Sequence, residues 1–176
     1  MSKNNQSTLT GAAGEHYILF RLLRLGWIAA LAPEGAPNHD IIVTDLNGER
    51  FCAIQVKTSR GLGKDEGWHM REKHEKLVSP TLFYCFVKLK EESKFEIQVF
   101  IIPSKIIAEV LRETHHIWLN TPGQKGQKHN DTKMRRLLPD YSTTLKLNPS
   151  QREKYGAGWM DKYHENWKIL GLPKLN

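Results

Sequence analysis

Residues 39–59, HDIIVTDLNGERFCAIQVKTS, contain two strand-like runs on either side of an Asn-Gly dipeptide. The first run extends from His39 to Asp45 and the second from Arg50 to Ser59. Asn-Gly between two such runs is the strongest short-range signal for a hairpin, because both residues tolerate the positive φ angles of a type I′ turn. The stretch therefore predicts an antiparallel hairpin with a two-residue turn at Asn47-Gly48.

The predicted turn also sets the register of the two strands. Counting outward from it, Asp40 faces Gln55 on the same side of the sheet, with Cβ atoms about 5 Å apart. Lys57 lies two residues beyond Gln55, so its side chain points to that same side, whereas the side chain of Val56 points to the other. A carboxylate, an amide oxygen, the Val56 carbonyl and an ammonium group thus converge from one hairpin.

This combination of groups suits the hydrolysis of phosphodiester bonds. Hard divalent cations take oxygen ligands, usually one or two carboxylates with water and phosphate completing the shell. A lysine beside such an ion orients or deprotonates the attacking water, or neutralises charge that develops on the phosphate. Taken singly, each of these residues is more typical of a solvated sheet surface; their convergence favours a metal-dependent site.

The same residues resemble the motif of the PD-(D/E)xK nuclease superfamily. Asn38-His39-Asp40 stands where that family has Pro-Asp, and Gln55-Val56-Lys57 stands where it has Glu-x-Lys. Gly14-Glu15 is similar to the helical glutamate of the branch that includes archaeal Holliday-junction resolvases. The resemblance extends from Thr10 to Val87, about half of the chain.

The resemblance implies an α/β fold with a restriction-endonuclease-like αβββαβ core, in which helices flank a central mixed sheet. It also implies a Mg²⁺ or Mn²⁺ requirement and the cleavage of DNA. By the same resemblance, Asp40 is the principal metal ligand, Gln55 a second one, and Lys57 the residue that serves the nucleophilic water. Glu15 reaches the metal or its waters from the helix, although an acid is also common in the first turns of a helix for electrostatic reasons.

Gln55 is the departure from the family pattern. An amide supplies an oxygen without charge, so metal affinity should be lower than with glutamate. Certain intron-encoded homing endonucleases of the superfamily are similar in using Gln-x-Lys. Two hypotheses therefore stay open: an active Mg²⁺-dependent DNA endonuclease, and a catalytically degenerate nucleic-acid-binding module of the same fold.

The composition is that of a globular domain with a basic surface. The chain has 176 residues, 39% of them hydrophobic and 26% charged, with a formal charge of +7. The charge favours a polyanionic partner but is a weak indicator by itself. Cys52 and Cys85 lie in apolar runs and are interpreted as buried thiols. No apolar run approaches the roughly 20 residues of a membrane span, so we expect a cytoplasmic protein without a membrane partner.

Hydrophobic spacing predicts the remaining organisation. We expect residues 1–120 to form the nuclease-like core, 121–148 a basic loop region, and 149–176 a helical tail. The tail carries an aromatic stripe that would pack on the core or, as the alternative, at a homodimer interface. The core elements expected beside the hairpin are a helix from about Thr10 to Leu25, strands over Trp27–Ala32, Thr81–Leu89 and Phe95–Ile102, a helix over Pro103–Glu113, a strand end at Ile117–Leu119, and a loop or poorly defined helix over Arg60–Glu75.

Basic side chains after the core strand and in the basic loop are candidates for phosphate contacts. An ordinary solvated surface explains them equally well. The candidates are Arg60, Lys64, Arg71, Lys73, His74, Lys125 and Lys128.

Overall fold

The computed structural model describes residues 3–60, 66–89, 96–123 and 125–173. The helices of these residues are α1 (Lys3–Arg24), α2 (Ser104–Asn120) and α3 (Pro149–Tyr155). The strands are β1 (Ile28–Leu31), β2 (Ile41–Thr44), β3 (Phe51–Ser59), β4 (Trp68–Arg71), β5 (Leu82–Leu89), β6 (Ile97–Pro103) and β7 (Met134–Leu137). Short 3₁₀ turns cover Glu72–Glu75, Tyr141–Thr143, Asp161–Tyr163 and Trp167–Leu170.

A five-stranded mixed sheet forms the centre of the molecule, in the order β1-β2-β3-β5-β6. The pairs β1–β2, β2–β3 and β5–β6 are antiparallel, whereas β3 and β5 are parallel. Residues of α1 and α2 pack into two different hydrophobic clusters, which contain alternate residues of β5 and so lie on opposite faces of the sheet. The predicted α/β class, with a central mixed sheet flanked by helices, is confirmed.

The register of the β2–β3 hairpin is as predicted. Ile42 pairs with Ala53 and Thr44 pairs with Phe51. The turn itself differs from the prediction, because Glu49 N donates to the Asp45 carboxylate at 2.9 Å instead of closing a two-residue turn. Asp45 N in turn donates to Arg50 O at 3.1 Å, which leaves a four-residue loop. The predicted register is nevertheless correct. A two-residue loop and a four-residue loop that are both centred on Asn47-Gly48 pair the same residues of β2 and β3.

The connection between the parallel strands β3 and β5 differs from the expected loop or helix. Its described part contains β4 and the 3₁₀ turn Glu72–Glu75, with no α-helix among these residues. β4 pairs antiparallel with β7, so the two form a second, two-stranded sheet. The end of the predicted basic loop is therefore a strand, stabilised by a partner distant in sequence.

In the second half of the chain, two further segments differ from the predicted secondary structure. Ile117–Leu119, predicted as a strand end, belongs to the last turns of α2, whose amphipathic pattern continues to Asn120. The predicted tail helix is α3 followed by two 3₁₀ turns. The four side chains of the aromatic stripe are all buried, and they join the two clusters of the chain's own core: Trp159, Tyr163, Trp167 and Leu170.

Within the described ranges, none of the helices has the length and apolar character needed to cross a membrane. The cytoplasmic location and the homodimer both stay predictions.

Candidate active site

Asp40 directly precedes β2 and is held by backbone hydrogen bonds on both sides, to β3 and to the residue that follows β1. Its N–H donates to Ile54 O at 2.9 Å, and its carbonyl accepts from Ala32 N at 2.9 Å. The side chain is held as well, since Asp40 Oδ2 accepts a hydrogen bond from Val56 N at 2.6 Å. A bond of this length to an ionised acceptor is typical of the stronger, charge-assisted class. The carboxylate thus has a defined position beside β3.

Lys57 lies one residue beyond Val56 on β3 and lines the same cleft as Asp40. Burial lowers the pKa of the Lys57 ammonium, and the positive charge of Lys73 lowers it further, whereas Asp40 and Glu15 act in the opposite direction. A lowered pKa favours the neutral amine relative to an exposed lysine. Lys57 is therefore suited to exchange a proton with water next to the carboxylates.

Glu15 reaches the cleft from α1. Burial raises the pKa of its carboxyl group, and the like charge of Asp40 raises it further, whereas His16 and Lys57 lower it. Two carboxylates that repel each other in this way are a favourable place for a cation, because a cation would relieve the repulsion. The sequence-predicted residues Glu15, Asp40 and Lys57, together with Val56, are brought together in one cleft.

A close contact between α1 and β3 positions Glu15. A Cβ atom added to Gly14 would lie only 1.9 Å from Thr58 Oγ1 and 3.0 Å from Thr58 Cβ, so any other residue here requires the Thr58 side chain, the helix or the strand to move. The glycine lets the helix backbone lie directly on the strand. Glu15 follows in sequence, so its place beside Asp40 depends on this contact.

Gln55 is placed differently from the other three. Its side chain is 6% exposed, and the amide is not among the groups that line the cleft. The Oε1 atom is buried and has no hydrogen-bond partner in the described part of the chain. Its neighbour in the parallel β3–β5 pair is Tyr84, whose hydroxyl is hydrogen-bonded to His74 Nδ1 at 2.8 Å. A buried acceptor without a donor is costly, and a cation beside it would satisfy it.

The cleft has a volume of about 560 Å³ and contains groups of both signs. Its acidic part consists of Glu15 and Asp40. Its basic part consists of Arg60, His69 and Arg136, two of which are carried by the β4–β7 sheet, where His69 pairs with Arg136. Hydroxyl groups complete the polar lining: Ser7, Thr10, Thr58 and Ser59.

The other predicted nucleic-acid contacts fall into three groups. Arg60 lines the cleft, as expected for such a contact. Arg71, Lys73 and His74 line a neighbouring pocket. Lys125 and Lys128 are exposed in the segment before β7 and line neither space, and Lys64 lies outside the described residues.

Sequence reasoning missed His69 and Arg136 as residues of the cleft. His69 belongs to Trp68–Arg71, in which apolar and basic residues alternate, and such alternation is the strand pattern. Arg136 belongs to Met134–Leu137, whose order Met-Arg-Arg-Leu does not alternate and gives no such signal. Four residues are too few to identify a strand when the partner that confirms it lies so far along the chain.

The oxygen atoms at the site fit a hard divalent cation. Among the described residues, no three His, Cys, Asp or Glu side chains lie close enough together to hold a metal ion. The carboxylates in the cleft are two, Glu15 and Asp40, and Val56 lines the cleft with them. Mg²⁺ is commonly bound through one or two carboxylates with water and phosphate in the other positions. The two mutually repelling carboxylates are consistent with such an ion, and the unpartnered Gln55 oxygen is a further oxygen atom on β3, outside the cleft lining.

Two solved structures are similar to this chain. One is a bacterial homing endonuclease, 15% identical, with a TM-score of 0.49; the match covers 93% of this chain and 89% of that chain. The other is a Holliday junction resolvase from the archaeal hyperthermophile Archaeoglobus fulgidus, 13% identical, with a TM-score of 0.42; the match covers 82% of this chain and 96% of that chain. No family model and no curated protein matches the chain.

Proposed function

We propose that this chain is a metal-dependent DNA endonuclease that hydrolyses phosphodiester bonds. The observation that supports this most is the meeting of Glu15, Asp40 and Lys57 in one cleft, although they come from a helix, a strand end and a second strand. Asp40 also accepts a hydrogen bond from the Val56 N–H, but that bond does not explain a second, repelling carboxylate or a lysine with a lowered pKa in the same cleft. Together they match what phosphodiester hydrolysis requires.

Asp40, Glu15, the Gln55 amide and the Val56 carbonyl would hold Mg²⁺ or Mn²⁺. When bound, the ion would polarise the phosphate and acidify a coordinated water. Asp40 is the principal candidate, because the Val56 N–H already holds one of its oxygens in place. Burial and the like charge of Asp40 raise the pKa of Glu15, and a bound cation would act against both effects by stabilising the ionised carboxylate.

Lys57 would act on the attacking water. Its ammonium group can donate a hydrogen bond that orients the water, and its lowered pKa eases the transfer of a proton to or from it. Asp40 and Glu15 act against this lowering, and in its charged form Lys57 can also neutralise charge that develops on the phosphate.

The basic part of the cleft would hold the substrate strand. Arg60, His69 and Arg136 line the same space as the carboxylates. Contacts of basic side chains to phosphates position nucleic acid without reading its sequence. The proposed site would therefore recognise the sugar-phosphate backbone of the nucleic acid and not its base sequence.

The placement of Gln55 favours a second candidate function, a catalytically degenerate nucleic-acid-binding module. Gln55 is uncharged, buried and absent from the cleft lining, so the site has one negative charge fewer than an acid at this position would give. A site with this reduced charge could bind nucleic acid through its basic part without holding a metal ion.

One assay separates the two candidates. Purified protein is incubated with duplex, single-stranded, flap and four-way-junction DNA in Mg²⁺, in Mn²⁺ and in EDTA. We expect metal-dependent cleavage, and a loss of more than about 100-fold in Asp40→Asn, Asp40→Ala and Lys57→Ala, the upper range for removal of even an outer-shell partner of a metal site. Asp40→Asn keeps an acceptor for the Val56 N–H, so it removes charge with little effect on the fold.

Matched controls are exposed residues outside the cleft, Glu153→Ala and Lys168→Ala, which should cleave as the wild type does. Circular dichroism and thermal unfolding establish that each variant is folded. Wild-type cleavage in Asp40→Asn and Lys57→Ala would contradict the proposed site. DNA binding with neither metal binding nor cleavage would support the degenerate module instead.

A further inference from the structure

A second pocket adjoins Lys57. It has a volume of about 320 Å³, and it shares Lys57 and His69 with the cleft. All of its ionisable lining residues are basic, and Met70 completes it. The basic lining residues are Lys57, His69, Arg71, Lys73 and His74.

Local structure explains why so many basic groups meet here. In β4 the buried residues Trp68 and Met70 alternate with the exposed residues His69 and Arg71, so the basic side chains share one side of the strand. The 3₁₀ turn that follows at once places the next basic residues beside them.

Two further contacts hold the turn in position. Lys73 Nζ donates to Asn38 Oδ1 at 3.0 Å, which ties the turn to the segment that leads into Asp40. His74 is buried, and its Nδ1 atom is hydrogen-bonded to the Tyr84 hydroxyl. The pocket is thus built from side chains fixed on three elements: β3, β4 and the turn.

The electrostatics of the pocket are unbalanced. Burial lowers the pKa of His74 to about 4, and the positive charges of Lys57, Lys73 and Arg71 contribute to this in that order. Glu75, which lies in the same turn, is ion-paired with Arg135 and does not line the pocket. His74 is therefore uncharged at neutral pH, and the like charges around this space are those of Lys57, Arg71 and Lys73. They raise the free energy of the empty pocket, and an anion there would lower it.

We propose that this pocket binds a phosphate group next to the scissile phosphodiester on the same nucleic-acid strand. Lys57 lines both the cleft and the pocket, so a strand whose reacting phosphate lies by Asp40 can place an adjoining phosphate between Arg71 and Lys73. Arginine and lysine are the side chains that most often contact phosphates, and such contacts set the position of the strand. This inference rests on the proposed nuclease function, and inorganic phosphate has the same chemistry as a second possible ligand.

A charge-removal scan along the strand tests the proposal. A duplex oligonucleotide is prepared in versions that each carry one uncharged methylphosphonate, and the Kd of each version is measured in EDTA, where metal-dependent cleavage does not interfere. For wild-type protein we expect affinity to fall about tenfold, the usual effect of losing a hydrogen bond to a charged group, at one position in addition to the positions that the cleft contacts. In Arg71→Gln/Lys73→Gln this penalty should disappear.

The salt dependence of binding gives a second readout. The slope of log K against log[salt] should fall by about 0.9 in Arg71→Gln/Lys73→Gln, as for the loss of one phosphate contact on duplex DNA. The matched control is Arg24→Gln/Lys168→Gln, which removes the same two kinds of charge at exposed positions outside both spaces. The control should keep both the wild-type scan and the wild-type slope.

A third measurement separates the two sources of phosphate. Line broadening of inorganic phosphate in ³¹P NMR that is present with wild-type protein and absent with Arg71→Gln/Lys73→Gln, together with a flat scan, would support the pocket as a site for free phosphate. An unchanged scan and slope in that variant, without a difference in phosphate binding, would overturn the proposal.

These outcomes are independent of catalysis. If Asp40→Asn lacks cleavage but shows the wild-type scan, both proposals stand. If the wild type cleaves no DNA but shows a scan that depends on Arg71 and Lys73, the pocket stands and the nuclease function falls.

Discussion

The acidic and basic parts of the cleft are held in place by different means. In the acidic part, Asp40 is bonded through its backbone to both neighbouring strands and through its side chain to Val56 N. In the basic part, His69 and Arg136 lie on the two-stranded β4–β7 sheet, which is joined to the main sheet by a hydrogen bond from the Trp68 indole to Val87 O and by packing. The proposed reacting groups thus lie on the most constrained part of the fold.

Because the two parts are held separately, we expect substitutions in one part to leave the other part unchanged. Changes in the acidic part should alter metal binding and the chemical step, whereas changes in the basic part should alter DNA affinity. The following substitutions examine that separation, beginning with the largest effect.

Gly14→Ala should have the largest effect after loss of Asp40 or Lys57 themselves. Its Cβ would lie 1.9 Å from Thr58 Oγ1 and 3.0 Å from Thr58 Cβ, so rotation of the Thr58 hydroxyl alone leaves a close contact, and we expect α1 to shift with Glu15. We expect kcat/KM for DNA cleavage to fall about 100-fold, the loss that a displacement of 1 Å can cause, while the Kd for DNA changes little.

Two variants make this test specific. Gly11→Ala is the comparison in the same helix: Gly11 also lines the cleft, but a Cβ there meets no atom within 4 Å and alanine favours a helix, so the change adds a methyl group without displacing α1. Thr58→Ala in the Gly14→Ala background removes the Oγ1 contact and should restore part of the activity. If Gly14→Ala cleaves as well as Gly11→Ala does, the α1–β3 contact has no role in positioning Glu15.

Gln55→Glu should strengthen the acidic part. One additional carboxylate beside Asp40 is expected to raise Mg²⁺ affinity about tenfold, because ligand charge is one of the quantities that set the affinity of such sites. The metal-free variant should unfold at a lower temperature than the wild type, since it buries one more charge near Asp40. Calorimetric titration and thermal unfolding with and without Mg²⁺ measure both effects.

Gln98→Glu, on β6 and outside the cleft, is the control for this change. Equal Mg²⁺ affinities for Gln55→Glu and the wild type would remove Gln55 from the set of ligands.

Arg136→Gln should weaken the basic part alone. We expect weaker DNA binding and a salt slope smaller by about 0.9, as for one phosphate contact, with Mg²⁺ affinity unchanged. Arg24→Gln at the exposed end of α1 is the matched control. A loss of Mg²⁺ affinity in Arg136→Gln would show that the two parts of the cleft are not separable.

The smallest expected effect is a change in the pH dependence of Mg²⁺ affinity in Glu15→Gln. The pKa of Glu15 is raised above the usual 4.5, so Glu15 keeps its proton to a higher pH than an exposed glutamate does. Metal binding needs the ionised form, so Mg²⁺ affinity should fall as the pH is lowered through that raised pKa. In Glu15→Gln the affinity should be lower and should lack this step, which calorimetry at a series of pH values would detect.

The sequence predicts the acidic part of the site better than the basic part, and the reason is the distance between partners. The Asn47-Gly48 dipeptide determines the β2–β3 register within a few residues, and the register places Asp40 beside β3. The turn type could not be predicted, because the Asp45 carboxylate binds backbone N–H groups that a type I′ turn would use otherwise.

The basic part depends on contacts that local patterns do not contain. β4 is a strand because β7 pairs with it, and Arg136 enters the cleft because it lies opposite His69. Local patterns also misled the prediction at Ile117–Leu119. This segment has the β-branched and aromatic residues typical of a strand, but it lies in the helix α2. Packing of α2 on the sheet outweighs the local preference.

The distance between β4 and β7 also has a kinetic consequence. The β2–β3 hairpin joins residues close in sequence and can form early, whereas the β4–β7 pair must close a long loop, from Trp68 to Leu137, before its contacts contribute. The pair has only four residue partners, and its attachment to the core rests on Trp68, Met70 and Leu137, so it is expected to open at a lower free energy than the five-stranded sheet. Amide hydrogens of β4 and β7 should then exchange before those of β3 and β5, and each such opening would release the nucleic-acid strand while the carboxylates stay assembled for the next one.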